Sequence, residues 1–506
     1  MRGTPLFKLT VVALTLVVWS YAQLPTLGSR AADPSLSGAV PDPATQIKPD
    51  QTSFDNFAWR VFVALNWPAT ADGNPDLKAV IGQRPGAPRV WELYTDPDDI
   101  FYGDACRRPR GGKRAGGDKV LRRMSKRIEK LSSSEDTQAG SNWPLVDQEH
   151  NFAVYESLIN DTQTNYICAE GLTTPEKIGA FVGDKKAISF PFGSIEVKAA
   201  WRLFPPGTPP AVLARYHTRE ATLAIAKDQP AGQPGSDAPR PIRGEVKGTV
   251  GLVGLHISYK IRNQPRWIWS TFEQVDNYKV DYKPLPGLKP TFNSGTAPTS
   301  PDANNRQPGQ VKPVADPQPK TYVWSGTQPT AANYAPTEVA SCPNEVPPSA
   351  VNARWQQRLA EVKGVANSPW QYYRLNSVQW FDAKDRIQPR NKDGAAVLRN
   401  SVLETYLLGD QTIANQVPAI GLISSDLNPN PPQGTLADTI IATVEASKYP
   451  QTNTGTYTWS SCVLCHQMAL YGYAVKDCQT QDVMTDYSFV FRSFLPQAAK
   501  PSTCPK

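Results

Sequence analysis

The 506-residue chain is 40% hydrophobic and 20% charged, a composition that is ordinary for a soluble globular protein long enough for two or three domains. Its 48 prolines and 34 glycines argue against an all-helical protein, because both residues interrupt helices. The formal net charge of +7 makes the chain moderately basic.

The N-terminus has the pattern of a secretory signal peptide. Two basic residues precede an apolar run at residues 9–19, and Ser20 and Ala22 occupy the small-residue positions of a cleavage site. The run is short for a membrane-spanning helix, although an uncleaved anchor stays open as the alternative. We therefore expect residues 1–22 to be removed and the mature protein to be periplasmic or secreted in a bacterium, without an integral membrane segment.

Residues 23–50 form a polar lead-in with several prolines, and the first predicted element is a helix over residues 52–65. Its apolar residues recur at helical spacing on one face, and Pro68 follows its end. Thr52 and Asp55 have the spacing of a capping box, so we expect Thr52 to cap this helix.

The segment Cys106–Lys130 contains eleven Lys and Arg residues against two acidic ones. Such a basic surface could dock an anionic partner, and a solvated loop followed by a basic helix is the alternative. No aromatic residues alternate with these charges, so we expect no nucleic-acid partner.

Five segments between residues 152 and 276 have strand patterns, and proline- or glycine-rich turns separate them. This spacing predicts an antiparallel sheet or sandwich, so we expect residues 51–283 to form a β-rich domain. Glu196 and Glu273 lie among apolar strand residues and could be buried acids with raised pKa values. Strict alternation over residues 195–203 puts Glu196 on the polar face, which favours the simpler interpretation of an ordinary polar-face residue.

A proline-rich stretch at residues 284–345 has hardly any apolar pattern, and we expect a linker or a long loop at a domain boundary. The remaining residues, 346–506, form the predicted C-terminal domain. It begins with a helix that Ser349 can cap and that Gly364 ends. The predicted fold class is therefore α+β and β-rich, with an antiparallel sheet or sandwich, a few helices and a distinct C-terminal segment.

That C-terminal segment contains Cys462-Val463-Leu464-Cys465-His466. On a helical turn the two cysteines and the histidine share one face, so two thiols could bond one porphyrin edge while the histidine ligates the iron. A structural zinc site would need a second Cys/His pair, and a thioredoxin-like redox pair would need a βαβ context; the sequence has neither. We expect one covalently attached haem c, with Cys462 and Cys465 as the attachment residues and His466 as the proximal iron ligand.

The motif matches the attachment site of c-type cytochromes, and the chain resembles a family of large exported bacterial monohaem proteins, described as cytochrome c family proteins. The resemblance is carried by the segments FDNFAWRVFVALNWP, GSIEVKAAWRLF, GLVGLHI, WIWSTFEQVDN, CVLCH and DYSF. The tail TDYSFVF is also similar to that of the β-sheet cytochromes c-prime. The resemblance implies an exported monohaem cytochrome and defines no substrate.

The sixth iron site separates two functions. Met484, eighteen residues after His466, could be the distal ligand, and an iron with two protein ligands favours electron transfer. An open site would allow peroxide, nitric oxide or hydroxylamine chemistry, and His150, His217 and His256 are the other candidates to approach it. We expect electron transfer, with a haem redox enzyme or a gas-binding protein as the alternative, and we assign no catalytic residue.

Export also sets the expectation for the other five cysteines. In an oxidising compartment we expect two disulfides and one further thiol among Cys106, Cys168, Cys342, Cys478 and Cys504. The partner would be a redox protein, an acidic one if it docks on the basic segment, and the sequence leaves the oligomeric state undefined. Four tryptophans could relay electrons or simply pack in the core: Trp267, Trp269, Trp370 and Trp380.

Overall fold

A computed structural model describes residues 36–107, 119–121, 145–149, 151, 153–184, 187–226, 242–296, 336–339, 347–383, 387–391, 394–395, 398, 400–405, 462–466, 469–474, 480–491 and 495. The predicted signal peptide lies outside these residues. Within them, no helix is both long enough and apolar enough to cross a membrane.

The helices are α1 (Gln51–Leu65), α2 (Pro97–Phe101), α3 (Asp161–Ala169), α4 (Pro175–Gly183), α5 (Pro210–Leu213), α6 (Ser349–Ala360) and α7 (Cys462–His466), with 3₁₀ turns at Val90–Leu93 and Pro369–Tyr372. The strands are β1 (Lys119–Leu121), β2 (Val154–Ile159), β3 (Ile195–Leu203), β4 (Thr218–Ala226), β5 (Ile242–Ile261), β6 (Gln264–Gln274), β7 (Tyr373–Phe381), β8 (Ile387–Gln388), β9 (Arg390–Asn391), β10 (Gly394–Ala395), β11 (Leu470–Ala474) and β12 (Thr480–Met484).

One eight-stranded sheet organises the molecule. Its main path runs β1-β4-β5-β6-β7-β8, while β3 pairs with both β2 and β5. The pairing is antiparallel except between β1 and β4, so the prediction of a β-rich α+β fold is confirmed. Because β6 and β7 are neighbours, the sheet takes strands from both sides of the proline-rich segment. The domain division at residues 284–345 stays a prediction.

Helix α1 packs its apolar face on the sheet, as its spacing predicts. Phe62 stacks on Phe272 of β6, with ring centroids 4.2 Å apart. The predicted cap is wrong by two residues: the carboxylate of Asp50 accepts the backbone N–H of Ser53 at 2.8 Å, so the helix begins at Gln51. Aspartate accepts hydrogen bonds from the first backbone N–H groups of a helix as well as threonine does. Asp50 directly precedes Gln51, the first residue of α1, whereas Thr52 already lies inside the helix.

Helix α6 packs against α1 through two tryptophans. Trp59 and Trp355 stack with ring centroids 5.8 Å apart. Each indole N–H is satisfied by the opposite helix, since Trp59 donates to Asn352 at 3.0 Å and Trp355 donates to Asn56 at 2.9 Å. Ser349 begins α6, but its side chain makes no capping bond. The two helices therefore cover the apolar face of the sheet together.

Asp55 lies on the buried face of α1, where it accepts a hydrogen bond from Gln51 at 2.7 Å. Burial raises the pKa of Asp55 to about 7, so the folded protein prefers its protonated form. An aspartate in the unfolded chain ionises near pH 4, and stability should therefore fall between pH 4 and 7 by about 1 kcal/mol per pH unit.

Substituting Asp55→Asn is expected to remove that decline, because asparagine has no proton to lose. Urea unfolding of both proteins at several pH values measures it. Parallel profiles for the wild type and the variant would show that Asp55 ionises normally in the folded state.

The opposite, polar face of the sheet carries three rows of side chains where β3, β5, β6 and β7 lie side by side. The first row is Glu196, Ser258, Trp269 and Gln379; the middle row is Lys198, His256, Thr271 and Ser377; the third row contains Ala200, Gly254 and Glu273. The alternation predicted for β3 is thus confirmed, but this face is covered as well. Glu196 is 7% exposed and Glu273 is 1% exposed, so both carboxyl groups are buried.

A disulfide joins Cys106, after α2, to Cys168 in α3. Their Cα atoms are 5.2 Å apart and 62 residues apart in the chain. The expectation of disulfides is confirmed for this pair. The remaining candidates, Cys342, Cys478 and Cys504, lie outside the described residues.

Candidate haem-attachment site

The Cys-x-x-Cys-His motif forms the short helix α7. One helical turn separates the Cys462 and Cys465 positions, and His466 follows directly. The backbone N–H of Val463 donates to the side chain of Gln379 on β7 at 3.2 Å, and Val463 is fully buried. The polar sheet face therefore anchors the motif at its first row.

His466 is held by a backbone carbonyl. Its Nδ1 lies 2.6 Å from the carbonyl oxygen of Tyr487, and its ring packs edge-on against Phe489 with centroids 5.1 Å apart. Trp269 contributes a second aromatic neighbour at 5.9 Å. An imidazole that donates from Nδ1 carries its lone pair on Nε2, so this bond selects the tautomer that ligates a metal through Nε2.

The carbonyl of Tyr487 is aimed by an unusual turn. Asp486 and Tyr487 both have left-handed backbone conformations, with φ of 51° and 62°. Residues with side chains avoid this region, so surrounding contacts must hold the turn in place. Asp486 provides two of them: its carboxylate pairs with Lys260 at 2.6 Å and accepts the backbone N–H of Phe190 at 2.7 Å. Burial raises the pKa of Asp486, and Lys260 opposes that effect.

Ser488 continues the same turn onto the sheet. Its hydroxyl donates to the carboxylate of Glu196, which also accepts a hydrogen bond from Gln163 at 2.6 Å. Burial raises the pKa of Glu196 against the opposing charge of Lys198. Glu196 does lie on the polar face, but residues 486–491 cover that face, so its carboxyl group is buried and the interpretation of an ordinary polar-face residue was wrong.

Substituting Asp486→Asn should loosen this turn while keeping a residue that tolerates its conformation. Buried Lys260 would lose its counter-charge, so we expect the free energy of unfolding to fall by about 2 kcal/mol. In the holoprotein we also expect the reduction potential of the haem to change, because the Nδ1 hydrogen bond tunes the basicity of the proximal histidine.

The matched control is Asp281→Asn, which breaks the exposed pair with Lys279 and should move neither readout. An unchanged reduction potential in Asp486→Asn would show that this turn does not act on the histidine.

Met484 lies at the end of β12, in the hairpin that directly follows the motif. Its backbone pairs with Leu470, while the neighbouring pair Tyr471 and Val483 is buried in the core. Because side chains alternate along a strand, Met484 lies on the opposite, half-buried face of the hairpin. Its role as distal ligand stays a prediction.

The three other histidines have different surroundings. His217 is buried, its Nε2 donates to the carboxylate of Glu92 at 2.7 Å, and its ring stacks on Trp370. Burial lowers the pKa of His217 to about 4, against the opposing effect of Glu92. His256 is in the middle row of the polar face, where its Nε2 lies 2.7 Å from Glu404. His150 lies outside the described residues.

Of the four tryptophans, Trp269 is the one that contacts His466. Trp267 packs edge-on against Phe190, in the same apolar cluster as Trp269. Trp370 stacks on His217, and Trp380 stacks on Phe54 of α1. Core packing accounts for the last two.

The basic segment is mostly outside the described residues, and one described member, Lys119, is not available to a docking face. Lys119 is buried between the rings of Trp91 and Trp201 and pairs with Glu92 and Glu156. Strand β1 pairs with β4, and this pairing places the Lys119 ammonium inside the protein. A docking surface would have to use the remaining basic residues.

The motif contains donors that a covalent haem would use. Among the residues that the structure describes, no three His, Cys, Asp or Glu side chains lie together as metal ligands. A haem iron needs only one or two protein ligands, because the porphyrin supplies four. The half-buried Cys462 and the Nε2 tautomer of His466 fit such a group, within an apolar cluster that includes Trp269, Tyr487 and Phe491.

No protein-family model, curated protein or solved structure matches this chain.

Proposed function

We propose that this protein is an exported monohaem c-type cytochrome that transfers electrons. The observation that carries the proposal is the contact between His466 Nδ1 and the Tyr487 carbonyl at 2.6 Å. A histidine in a Cys-x-x-Cys-His helix with this tautomer has the nitrogen that a haem iron requires. Cys462 and Cys465 would supply the two thioether bonds.

When bound, the haem would supply an iron that accepts and releases one electron. The protein's own residues would orient and shield it. The Asp486–Tyr487 turn would fix the plane of the His466 ring, and Phe489 and Trp269 pack against that ring. A rigid setting favours electron transfer because little must rearrange when the charge changes.

The partner would be another redox protein. Outside Lys119, the basic residues of Cys106–Lys130 would attract an acidic surface over a range that salt shortens. The rate of reduction by the partner should therefore fall as ionic strength rises.

Optical spectra of the purified holoprotein test the proposal. We expect low-spin ferric and ferrous spectra that carbon monoxide leaves unchanged, since two protein ligands would fill both axial positions. A high-spin ferric spectrum, with a ferrous form that shifts under carbon monoxide, would contradict an electron carrier and support an open iron site.

A second candidate, a haem redox enzyme, is favoured by one observation. Lys198 and His256 are partly exposed, although the other residues of β3 and the other residues at 250–261 of β5 are buried. An opening at that point would give a small molecule access to the polar face beside His466.

A further inference from the structure

The disulfide between Cys106 and Cys168 lies where solvent reaches it. Cys106 follows α2 and is exposed, and Cys168 lies near the end of α3 and is half-buried. Exchange between a disulfide and an external thiol requires that the thiol can reach one of the two sulfur atoms. The exposed position of Cys106 meets that requirement, whereas a disulfide enclosed in the core would not.

The same disulfide borders the apolar cluster that contains the attachment motif. Ala105 and Cys168 pack against this cluster, whose buried members include Val463 of α7 and Phe491. Cys462 packs against it as well. The disulfide and the motif are therefore parts of one packed region.

Helix α2 contacts the turn that holds the proximal histidine. Phe101, its last residue, has its ring centroid 6.0 Å from that of Phe491, and both side chains are fully buried. Phe491 belongs to the segment 486–491, whose Tyr487 carbonyl contacts the histidine. Because Cys106 follows Phe101 closely in the chain, the disulfide restrains the backbone that carries this ring.

Helix α3 contacts the same turn through Phe190. The hydroxyl of Tyr166 accepts the backbone N–H of Ser189 at 3.1 Å, and its ring packs edge-on against Phe190 at 5.3 Å. The backbone N–H of Phe190 donates to the carboxylate of Asp486 at 2.7 Å. The ring of Phe190 also stacks on Phe491, with centroids 6.2 Å apart. Tyr166 therefore supports the residue that contacts both ends of the turn.

A second set of hydrogen bonds leads from α3 to Ser488. Gln163 donates to the carboxylate of Glu196 at 2.6 Å, and that carboxylate also accepts the hydroxyl of Ser488. The disulfide thus joins two segments that both support the turn, α2 at Phe491 and α3 at Asp486 and Ser488.

This arrangement makes the position of the Tyr487 carbonyl sensitive to the disulfide. A covalent bond limits how far Cys106 and Cys168 can separate, so it restricts the movements in which α2 and α3 draw apart. Reduction of the bond allows those movements. The left-handed conformations of Asp486 and Tyr487 depend on the surrounding contacts. We therefore expect the turn of the reduced protein to shift and its hydrogen bond to His466 to weaken.

We propose that the Cys106–Cys168 disulfide is a thiol-sensitive clamp on the turn at residues 486–491, and that a dithiol reductant opens it and raises the reduction potential of the haem. A weaker Nδ1 hydrogen bond makes the proximal imidazole a poorer electron donor, which stabilises ferric iron less and so favours reduction. The inference rests on the proposed function, because the haem is the group that responds to the clamp.

The opening reaction is a two-electron exchange. A thiolate of the reductant attacks Sγ of Cys106, so that a mixed disulfide forms while the bond to Cys168 breaks, and Cys168 leaves as a thiolate that takes up a proton. The second thiolate of the reductant then attacks the reductant's own sulfur in the mixed disulfide, and Cys106 leaves in the same way. The reductant is oxidised to a disulfide, the protein pair is reduced to two thiols, and both protons come from the reductant.

Native reduction of the holoprotein with dithiothreitol tests the proposal. Without denaturant, we expect Cys106 and Cys168 to become reactive toward iodoacetamide, which mass spectrometry of their peptides detects. After the dithiothreitol is removed, the midpoint potential of the haem, measured by spectroelectrochemistry, should be higher in the alkylated protein than in the untreated one. A sample that is reoxidised instead of alkylated should return to its original potential.

The variant that carries both Cys106→Ser and Cys168→Ser should show the raised potential without any treatment. Dithiothreitol and iodoacetamide should change its potential no further, which assigns the effect to this pair rather than to another cysteine. In the purified mature chain, with or without bound haem, the same variant should exchange the backbone amide hydrogens of residues 486–491 several-fold faster than the wild type, since local opening becomes easier.

A disulfide that resists dithiothreitol until denaturant is added would overturn the proposal. An unchanged or lowered potential, or unchanged amide exchange, in the double variant would do the same. Haem content of the same samples separates the two proposals. Normal haem with unchanged potential and exchange counts against the clamp alone. Faster exchange in a protein that carries no haem, after maturation beside haem-attachment machinery, counts against the proposed function alone.

Discussion

Substituting both Cys462→Ser and Cys465→Ser is expected to give a protein without covalently bound haem, even when it matures beside haem-attachment machinery. A hydroxyl is a far weaker nucleophile than a thiol, so serine cannot form the thioether bonds. Peroxidase-type staining of haem after denaturing gel electrophoresis measures the result, because only covalent haem survives denaturation.

The matched control replaces the other described pair, Cys106→Ser with Cys168→Ser. These two cysteines form a disulfide with each other, so neither is a candidate for haem attachment, and their removal should leave haem staining intact. Equal loss of staining in both double variants would show that misfolding causes the loss. Full staining in the Cys462→Ser, Cys465→Ser variant would exclude this motif as the attachment site.

Substituting Lys119→Met is expected to lower the free energy of unfolding by about 3–5 kcal/mol, since it leaves two buried carboxylates without their shared counter-charge. The ammonium lies 2.8 Å from Glu156 and 3.1 Å from Glu92. Burial by itself would lower the pKa of Lys119, but the two carboxylates together raise it above its usual value. Burial would likewise raise the pKa of Glu92, yet its cationic neighbours hold it well below the usual range.

Urea unfolding at pH 7 measures that loss, with Lys279→Met as the matched control. Lys279 pairs with Asp281 at 2.6 Å, but both side chains are about half exposed. Exposed pairs contribute between 0 and about 1 kcal/mol, so the control should barely change the unfolding midpoint. If the two methionine variants lose equal stability, Lys119 is not held as a buried charge in solution.

Local sequence patterns were enough for the main elements of the fold. The helical spacing around Phe57 and Phe62 predicts α1, and the alternation over residues 195–203 predicts β3 with its apolar side on the core. Both follow from the periodicity of a single segment, which needs no knowledge of the remaining chain. The end of α1 at Leu65 is likewise marked by the nearby Pro68.

Patterns within a single segment could not predict the contacts between segments that are distant in the chain. Glu196 is predicted on a polar face, but Ser488, 292 residues later, covers it. Lys119 belongs to a run of basic residues that suggests exposure, yet Glu92 and Glu156 draw it inside. A single sequence holds no record of which strands pair, so neither partner could be named in advance.

The candidate site divides in the same way. The motif identifies Cys462, Cys465 and His466 directly, because their spacing is set within one helical turn. The sequence did not predict that the Tyr487 carbonyl contacts His466 or that the Glu404 carboxylate contacts His256. Both contacts depend on how distant segments fold together, and no local motif marks them. The segment DYSF carried the resemblance, but its physical role emerges only from the left-handed turn at Asp486 and Tyr487.

The most direct test of the central claim is the intact mass of the mature, denatured protein, followed by mass spectrometry of its peptides. The account predicts a chain that begins after residue 22 and carries the added mass of one haem on the peptide that contains Cys462, Cys465 and His466. A chain without added mass, from cells that attach haem to a control cytochrome, would contradict it.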